Sequence, residues 1–178
     1  MAKQSFTASR EEPFPASWTV EQGLRAFFEE NGFEREAYDG SRTPASVLGF
    51  EFSVPNPPRH RWAIMLHDLH HIATGFGTDL TGEGEISAWE FRRGLRPLGL
   101  YVGSIVFGGV LLGLVVAPRR TLRAWRSSLG GPSLFFLGSY SFDDLLQLSI
   151  GELRRILGLR EEGLSKAHRG VHSRAPKP

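Results

Sequence analysis

A chain of 178 residues is long enough for one domain with a hydrophobic core, and its formal charge of +2 is close to neutral. Eighteen of its 21 basic residues are arginine, so there is no lysine-rich tail of the nucleic-acid-binding kind, and we expect no nucleic-acid partner. The absence of cysteine excludes disulfides and thiolate metal sites.

The ends of the chain differ in composition from its middle. Residues 1–15 are polar and include two adjacent glutamates, so they match neither a signal peptide nor an acid-poor transit peptide. We therefore predict a disordered leader over residues 1–17, a folded domain over 18–159 and a polar tail over 160–178, in a cytoplasmic protein.

The first predicted helix carries signals at both ends. Thr19 and Gln22 form a capping box, in which the threonine hydroxyl accepts from a backbone N–H and the glutamine side chain reaches back. Asn31-Gly32 ends the helix, because glycine tolerates the left-handed conformation of a C-terminal cap.

Residues 33–61 are rich in turn-forming residues and lead into the second helix. Within them, Ala45–Val54 fits either a short helix or an extended segment. The second helix begins near Arg59, after a run of prolines. Arg59 and Arg61 could bind the phosphate or carboxylate of a ligand, and the alternative is that they are ordinary exposed arginines at a helix start.

The second helix concentrates potential metal ligands on one face. At about 100° per residue, the side chains of His67, Asp68 and His71 point into one arc, opposite an apolar stripe. Glu83 follows the glycine-rich segment 74–82, which predicts a turn that returns it to the same site. Imidazole nitrogen and carboxylate oxygen suit zinc and related divalent ions, so we predict a metal site rather than histidines on a solvent-facing surface.

Two further residues lie close to this pattern. Glu90 follows Glu83 by two turns on a third helix, predicted over residues 81–93, and points in a similar direction. It is a candidate hydrogen-bond partner of a ligand or a proton carrier, with an exposed glutamate as the alternative. His70 points about 100° away from His71, and we expect its removal to cost little metal.

Leu98–Ala117 is an uncharged run of twenty residues with arginines on both flanks. Its length fits a membrane span, whereas its five glycines favour a helix that packs closely in a bundle or lines a lipid pocket. We favour the second interpretation, in which Gly109 and Gly113 border a pocket for an isoprenoid chain, and keep the membrane span as the alternative.

The remaining pattern is helical throughout. Arg119–Leu129 is basic and amphipathic, which is typical of docking on an anionic membrane surface, or of a solvated helix packed by one face. Capping residues at Ser141 and Ser149 predict the last helical segments. The sequence therefore predicts a single-domain, all-α bundle of about six helices.

The pattern His67-Asp68-x-x-His71, followed after eleven residues by Glu83, resembles the metal signature of the ubiquinone (coenzyme Q) biosynthesis protein 4 family. The resemblance extends over about residues 20–159 and includes a closing stretch, Leu145–Gly158. His70 stands where members of that family often carry an aromatic residue, so it is also a candidate ligand.

This resemblance implies a function. Members of the family act on polyprenylated aromatic precursors of ubiquinone, in the replacement of the ring C1 carboxyl by hydroxyl, and associate with membranes and with other enzymes of the pathway. It implies a metal-dependent oxidative decarboxylase, with zinc as the expected metal, on the inner face of the cell membrane. The alternative is a non-catalytic, metal-containing scaffold that binds an isoprenoid lipid.

Two other questions bear on the function. A His-Asp phosphohydrolase needs a separate upstream histidine, and His60 adjoins the same helix, which counts against that class. Among the partners, a homodimer is kept as an alternative to a monomer.

Overall fold

The capping sequences set the helix boundaries as predicted. The computed structural model describes residues 13–34, 38–47 and 50–164, with the backbone alone for 44–47 and 50–52. Helix α1 spans Val20–Asn31; Thr19 and Gln22 exchange both hydrogen bonds of the capping box, and Gly32 follows with a left-handed φ of 65°. Ser141 and Ser149 begin two later helices with capping boxes of the same kind.

The described chain is a compact helical bundle, which confirms the predicted all-α class. It contains seven α-helices, because the C-terminal helical region divides at Leu148. Two short 3₁₀ turns, at Arg96–Leu98 and Leu134–Phe136, connect longer helices. After α1 the elements are β1 Arg42–Val47, β2 Phe50–Pro55, α2 Pro58–Thr74, α3 Leu80–Arg93, α4 Gly99–Val116, α5 Pro118–Ser127, α6 Phe142–Gln147 and α7 Ile150–Ile156.

A small antiparallel hairpin precedes α2. Its strands pair from Arg42 opposite Pro55 to Val47 opposite Phe50. For Ala45–Val54, the described residues 45–47 and 50–54 are therefore extended, as in the second of the two alternatives. Valines and phenylalanines in this segment favour strand over helix. The buried Asn56 then closes the base of the hairpin by donating to two upstream carbonyl groups.

The core surrounds α2, which packs against α1, α3, α4 and α7. The buried guanidinium of Arg154, on α7, donates to the carbonyl of Ala73 at 2.9 Å and so satisfies the C-terminal end of α2. Phe14 and Leu164 also belong to the core. Packed structure therefore extends slightly beyond the predicted limits 18–159, while residues 1–12 and 165–178 lie outside the described chain.

Helix α4 packs one side against α3 and exposes the other. An added Cβ at Gly113 would lie 2.6 Å from the Gly84 Cα, so the two backbones touch. By length and composition, the segment Arg96–Val116 could cross a membrane: its mean hydropathy is 2.2, and 22% of an 18-residue window within it is buried. The structure thus differs from the expectation of a buried helix, because most of α4 is exposed.

Candidate metal centre

Two histidine rings of α2 meet at their Nε2 atoms. His67 and His71 are one helical turn apart, so both side chains leave the same face of the helix. Their Nε2 atoms are 3.1 Å apart, and the ring planes are nearly perpendicular. The predicted ligand arc therefore brings two imidazole nitrogens to one point.

Glu83 joins this pair from the first turn of α3. The chain reverses between α2 and α3 in a tight turn: an added Cβ at Gly82 would lie 2.0 Å from the Gly77 carbonyl oxygen. Only glycine permits this approach. One Glu83 carboxylate oxygen then lies 3.4 Å from Nε2 of His67, and the other lies 3.4 Å from Nε2 of His71.

Hydrogen bonds at the opposite ring nitrogens fix the tautomers. Nδ1 of His67 donates to the Glu90 carboxylate at 2.9 Å, and Nδ1 of His71 donates to the Phe76 carbonyl oxygen at 3.1 Å. When both rings are neutral, each carries its hydrogen on Nδ1, and the two Nε2 lone pairs face each other. At that distance they repel unless a proton or a metal cation lies between them.

The surrounding carboxylates favour positive charge at this point. Burial disfavours the charged imidazolium of His67, but Glu90 and Glu83 outweigh it and raise the pKa of His67 well above 6.5. Partial burial likewise disfavours the Glu83 carboxylate, yet His71 and His67 hold the pKa of Glu83 well below its usual range. A proton and a divalent cation therefore compete for the same place.

The ligand-atom separations of 3.1–3.4 Å are close to those of a tetrahedral centre. Bonds of about 2.0–2.2 Å from zinc to nitrogen or oxygen place tetrahedral ligand atoms roughly 3.2–3.6 Å apart. The cluster of His67, His71 and Glu83 could hold a metal ion, since its ligand atoms all lie within 4.8 Å of one another. The Glu83 side chain is 40% exposed, so the cluster opens to solvent on its side. Three protein ligands with an open fourth position are typical of catalytic zinc sites.

Glu90 is fully buried and connects two histidines. Its Oε1 atom accepts from Nδ1 of His67 at 2.9 Å and from Nδ1 of His70 at 2.7 Å. Burial raises the pKa of this carboxyl, but the two histidines outweigh it and lower the pKa to about 2. Glu90 is thus placed to orient His67, and its use as a proton carrier stays a prediction.

His70 uses both ring nitrogens inside the protein. Its Nδ1 donates to Glu90, and its Nε2 accepts from the backbone N–H of Leu134 at 3.0 Å. The ring lies between Trp89 and Phe135, with both centroid distances 5.0 Å. Burial lowers the pKa of His70. A neutral ring with both nitrogens occupied is not available to a metal.

Asp68, the fourth predicted ligand, has a different partner. This buried carboxylate accepts from the Tyr38 hydroxyl at 2.5 Å. Burial raises the pKa of Asp68 to about 6, although His67 and Tyr38 act in the opposite direction. Among the described residues, Asp68 is not in the group whose ligand atoms converge, and its place in a coordination shell stays a prediction.

The two arginines predicted to bind a ligand have contacts of their own. The exposed Arg59 lies over Gly99, where an added Cβ would be 2.9 Å from its Nη1 atom. Arg61 pairs with Asp39 at 3.6 Å, beside the tyrosine that holds Asp68. A role for either arginine in binding a ligand stays a prediction.

Gly109 and Gly113 lie on the side of α4 that faces α3. An added Cβ at Gly109 would be 2.2 Å from the Ser87 hydroxyl oxygen, and one at Gly113 would be 2.6 Å from the Gly84 Cα. These glycines therefore make room for a neighbouring helix. Their predicted contact with a lipid chain remains untested.

Two groups that hold the site together are not among the predicted residues. Tyr38 lies thirty residues before Asp68, and no local spacing connects them. Phe76 acts through its backbone carbonyl, so its side chain gives no signal. The glycines on both sides of Phe76 are the local indication of a turn that presents this carbonyl to His71.

Comparisons with known proteins identify no family for this chain. No protein-family model matches it, and neither a curated protein nor a solved structure shows significant similarity. The chemistry of the site and the sequence pattern of its ligands therefore carry the functional proposal.

Proposed function

We propose that the protein binds one divalent metal ion, zinc, through His67, His71 and Glu83. The observation that carries this proposal is the pair of Nε2 atoms 3.1 Å apart, on two rings whose Nδ1 atoms donate to Glu90 and to the Phe76 carbonyl. Two imidazole ligands favour zinc over magnesium or calcium, which prefer oxygen ligands alone. Tetrahedral spacing supports the same choice.

The bound ion would act as a Lewis acid toward an oxygen atom at the open fourth position. The protein's own groups prepare that position. Glu90 keeps the ring of His67 in one orientation, and the Phe76 carbonyl does the same for His71. Phe27 stacks on the His71 ring, with centroids 5.7 Å apart, and shields that side from water.

The substrate class is proposed from the ligand pattern. Because His67-Asp68-x-x-His71 and Glu83 resemble the ubiquinone biosynthesis protein 4 signature, we propose a polyprenylated hydroxybenzoate-type acid as substrate. In this reaction the ring C1 carboxyl leaves as carbon dioxide and a hydroxyl replaces it. The change is a two-electron oxidation, so it requires an oxygen donor and an electron acceptor. The proposed location is the cytoplasm, and the proposed protein partners are other quinone-biosynthesis enzymes.

Metal analysis tests the first part of the proposal. Protein purified without chelators should contain about one zinc per chain, measured by mass spectrometry of the metal. Glu83→Gln should lose most of it. Glu85→Gln is the matched control, because Glu85 is a buried carboxylate of the same helix that pairs with Arg120 instead. Equal metal content in the two variants would refute the site.

Turnover tests the second part. A prenylated hydroxybenzoate labelled with ¹³C in its carboxyl should release labelled carbon dioxide and give the C1-hydroxylated ring, in the presence of an electron acceptor. Turnover that is absent in Glu83→Gln supports the enzyme. Bound lipid without turnover, in metal-loaded protein, would instead support the alternative of a metal-containing isoprenoid-binding scaffold.

A further inference from the structure

The outer side of α4 is an exposed apolar surface. Leu100 is 95% exposed and Val115 is 81% exposed, and Phe107 and Leu111 between them are also exposed. Together these four residues define the outer face of α4. The surface runs along the whole helix, and such continuous apolar surface usually marks an interaction site.

The chain segment that contains this face carries charge of one sign. Residues 92–142 contain seven arginines and neither aspartate nor glutamate. Arg96 precedes α4, and Arg119 follows it; both side chains are exposed. Arg126, one helix further on, is exposed as well. An apolar strip with arginines at both ends is complementary to an anionic lipid surface, whose headgroups attract arginine and whose acyl region accepts apolar side chains.

The contacts between the inner side of α4 and the bundle argue against a membrane span. Gly103, Gly109 and Gly113 face Leu95, Ser87 and Gly84 respectively, so α4 stays in contact with the bundle along most of its length. A span would require lipid on all sides of α4. Lipid would then meet the polar groups of α3 that face α4, including the Ser87 hydroxyl.

A second copy of the chain fits this face less well. Any pairing of two α4 helices, parallel or antiparallel, brings the basic ends of one copy to the basic ends of the other. No acidic residue lies in residues 92–142 to compensate. Like charges placed together oppose such an interface.

We propose that the outer face of α4, with Arg96 and Arg119 at its ends, docks on an anionic lipid bilayer. The helix lies in the plane of the interface, with its apolar side chains in the headgroup and acyl boundary. This surface extends the expectation that Arg119–Leu129 contacts the membrane, because it assigns the inserted residues to α4. The proposal does not depend on the metal or on the reaction.

Vesicle flotation tests whether binding requires anionic lipid and whether it uses the outer face of α4. Wild-type protein should bind vesicles of phosphatidylcholine with phosphatidylglycerol and bind pure phosphatidylcholine weakly. Leu111→Glu should weaken binding at least about tenfold, since it places a charge in the inserted strip. Arg119→Gln should weaken it about fivefold on anionic vesicles alone. Tyr140→Glu is the matched control, because Tyr140 is also exposed but precedes α6, which packs on α1.

The depth of insertion provides a second measurement that needs no charged variant. The chain has no cysteine, so Val115→Cys can carry a single environment-sensitive fluorophore. On anionic vesicles its emission should shift to the blue, and lipid-borne quenchers should place it about 5–10 Å into the headgroup and acyl boundary.

Three outcomes would overturn the proposal. Unchanged binding by folded Leu111→Glu would move the contact to another surface. Quenching at the bilayer centre, with resistance to alkaline carbonate, would establish a membrane span. No vesicle binding by the wild type, with a dimer in sedimentation that Leu111→Glu dissociates, would assign the face to a second copy.

Discussion

Helices α2 and α4 depart from the usual rule that apolar side chains are buried and polar ones exposed. Helix α2 buries polar side chains, and α4 exposes apolar ones. Helix α2 buries His70, His71 and Asp68, whereas α4 exposes residues such as Leu100 and Val115. Each of these three side chains of α2 has a hydrogen-bond partner within the protein. The exposed side chains of α4 gain nothing comparable within the described chain. The fold thus accommodates the buried polar side chains of α2, whereas the exposed apolar side chains of α4 indicate a contact with another molecule.

Removing a ligand from α2 should produce the largest effect. We expect His71→Ala to weaken zinc binding by more than about 100-fold, because losing a ligand should exceed the loss of an outer partner. Competition with a chromophoric chelator measures the affinity. The control is His60→Ala: His60 lies on the same helix but pairs with Asn56. Equal losses in the two variants would mean that the site depends on the helix and not on its ligands.

Glu90→Gln should weaken zinc binding about 10–100-fold. The buried carboxylate accepts from His67 and His70 at once, and a neutral amide cannot replace both charge-assisted bonds. The same chelator competition applies, with Glu85→Gln as the control on the same helix. An unchanged affinity in Glu90→Gln would show that Glu90 does not orient the ligand.

Adjacent glycines of α4 allow a sharp test of its two sides. Gly109→Ala should lower the free energy of unfolding by about 1–3 kcal/mol, since its Cβ would lie 2.2 Å from the Ser87 hydroxyl oxygen. Gly108→Ala should raise it by about 0.5–1 kcal/mol, because nothing lies within 4 Å of its added Cβ. Urea unfolding measures both. If Gly109→Ala instead removes bound lipid at unchanged stability, the predicted lipid contact of Gly109 is correct.

The charge at the histidine pair predicts a pH dependence. The pKa of His67 is raised by its carboxylate neighbours, so in metal-free protein its contribution to stability is present below pH 6.5. That contribution is lost as the pH rises through the raised pKa. Bound zinc should remove this loss, and zinc binding at pH 7 should release about one proton.

Melting temperatures with and without zinc, measured from about pH 6 to pH 9, test the sign. The metal-free protein should lose stability across this range relative to the zinc-bound protein. Metal-free His67→Gln should lose the His67 contribution to this trend. A pH dependence that is unchanged in His67→Gln would assign the titration to another group.

The sequence predicts the parts of the site that depend on local geometry. The four-residue spacing of His67 and His71 defines the ligand face, and the glycines before Glu83 indicate the turn that returns it. Capping boxes likewise predict where helices begin. The contacts of His70 with Leu134 and of Asp68 with Tyr38 join segments 64 and 30 residues apart. No local pattern encodes such pairings, because they depend on how the helices pack.

Local spacing predicts Asp68 as a metal ligand, whereas a long-range contact pairs it with Tyr38. Among the variants of the site, Asp68→Asn should therefore have the smallest effect. The amide oxygen of asparagine can still accept from the Tyr38 hydroxyl. Burial raises the pKa of Asp68 to about 6, so removing its charge at pH 7 relieves an unfavourable ionisation. We therefore expect stability no lower than that of wild type and zinc affinity within about tenfold.

Tyr38→Phe separates a structural role of Asp68 from ligation. This variant leaves a buried carboxylate with one donor fewer, which should cost about 1–3 kcal/mol of unfolding free energy. Zinc affinity should change little. If Asp68 instead coordinates the metal, Asp68→Asn should lower zinc affinity as strongly as His71→Ala, because an amide oxygen is a much poorer ligand than a carboxylate. Titrating both variants against the same chelator distinguishes a three-residue site from the four-residue signature.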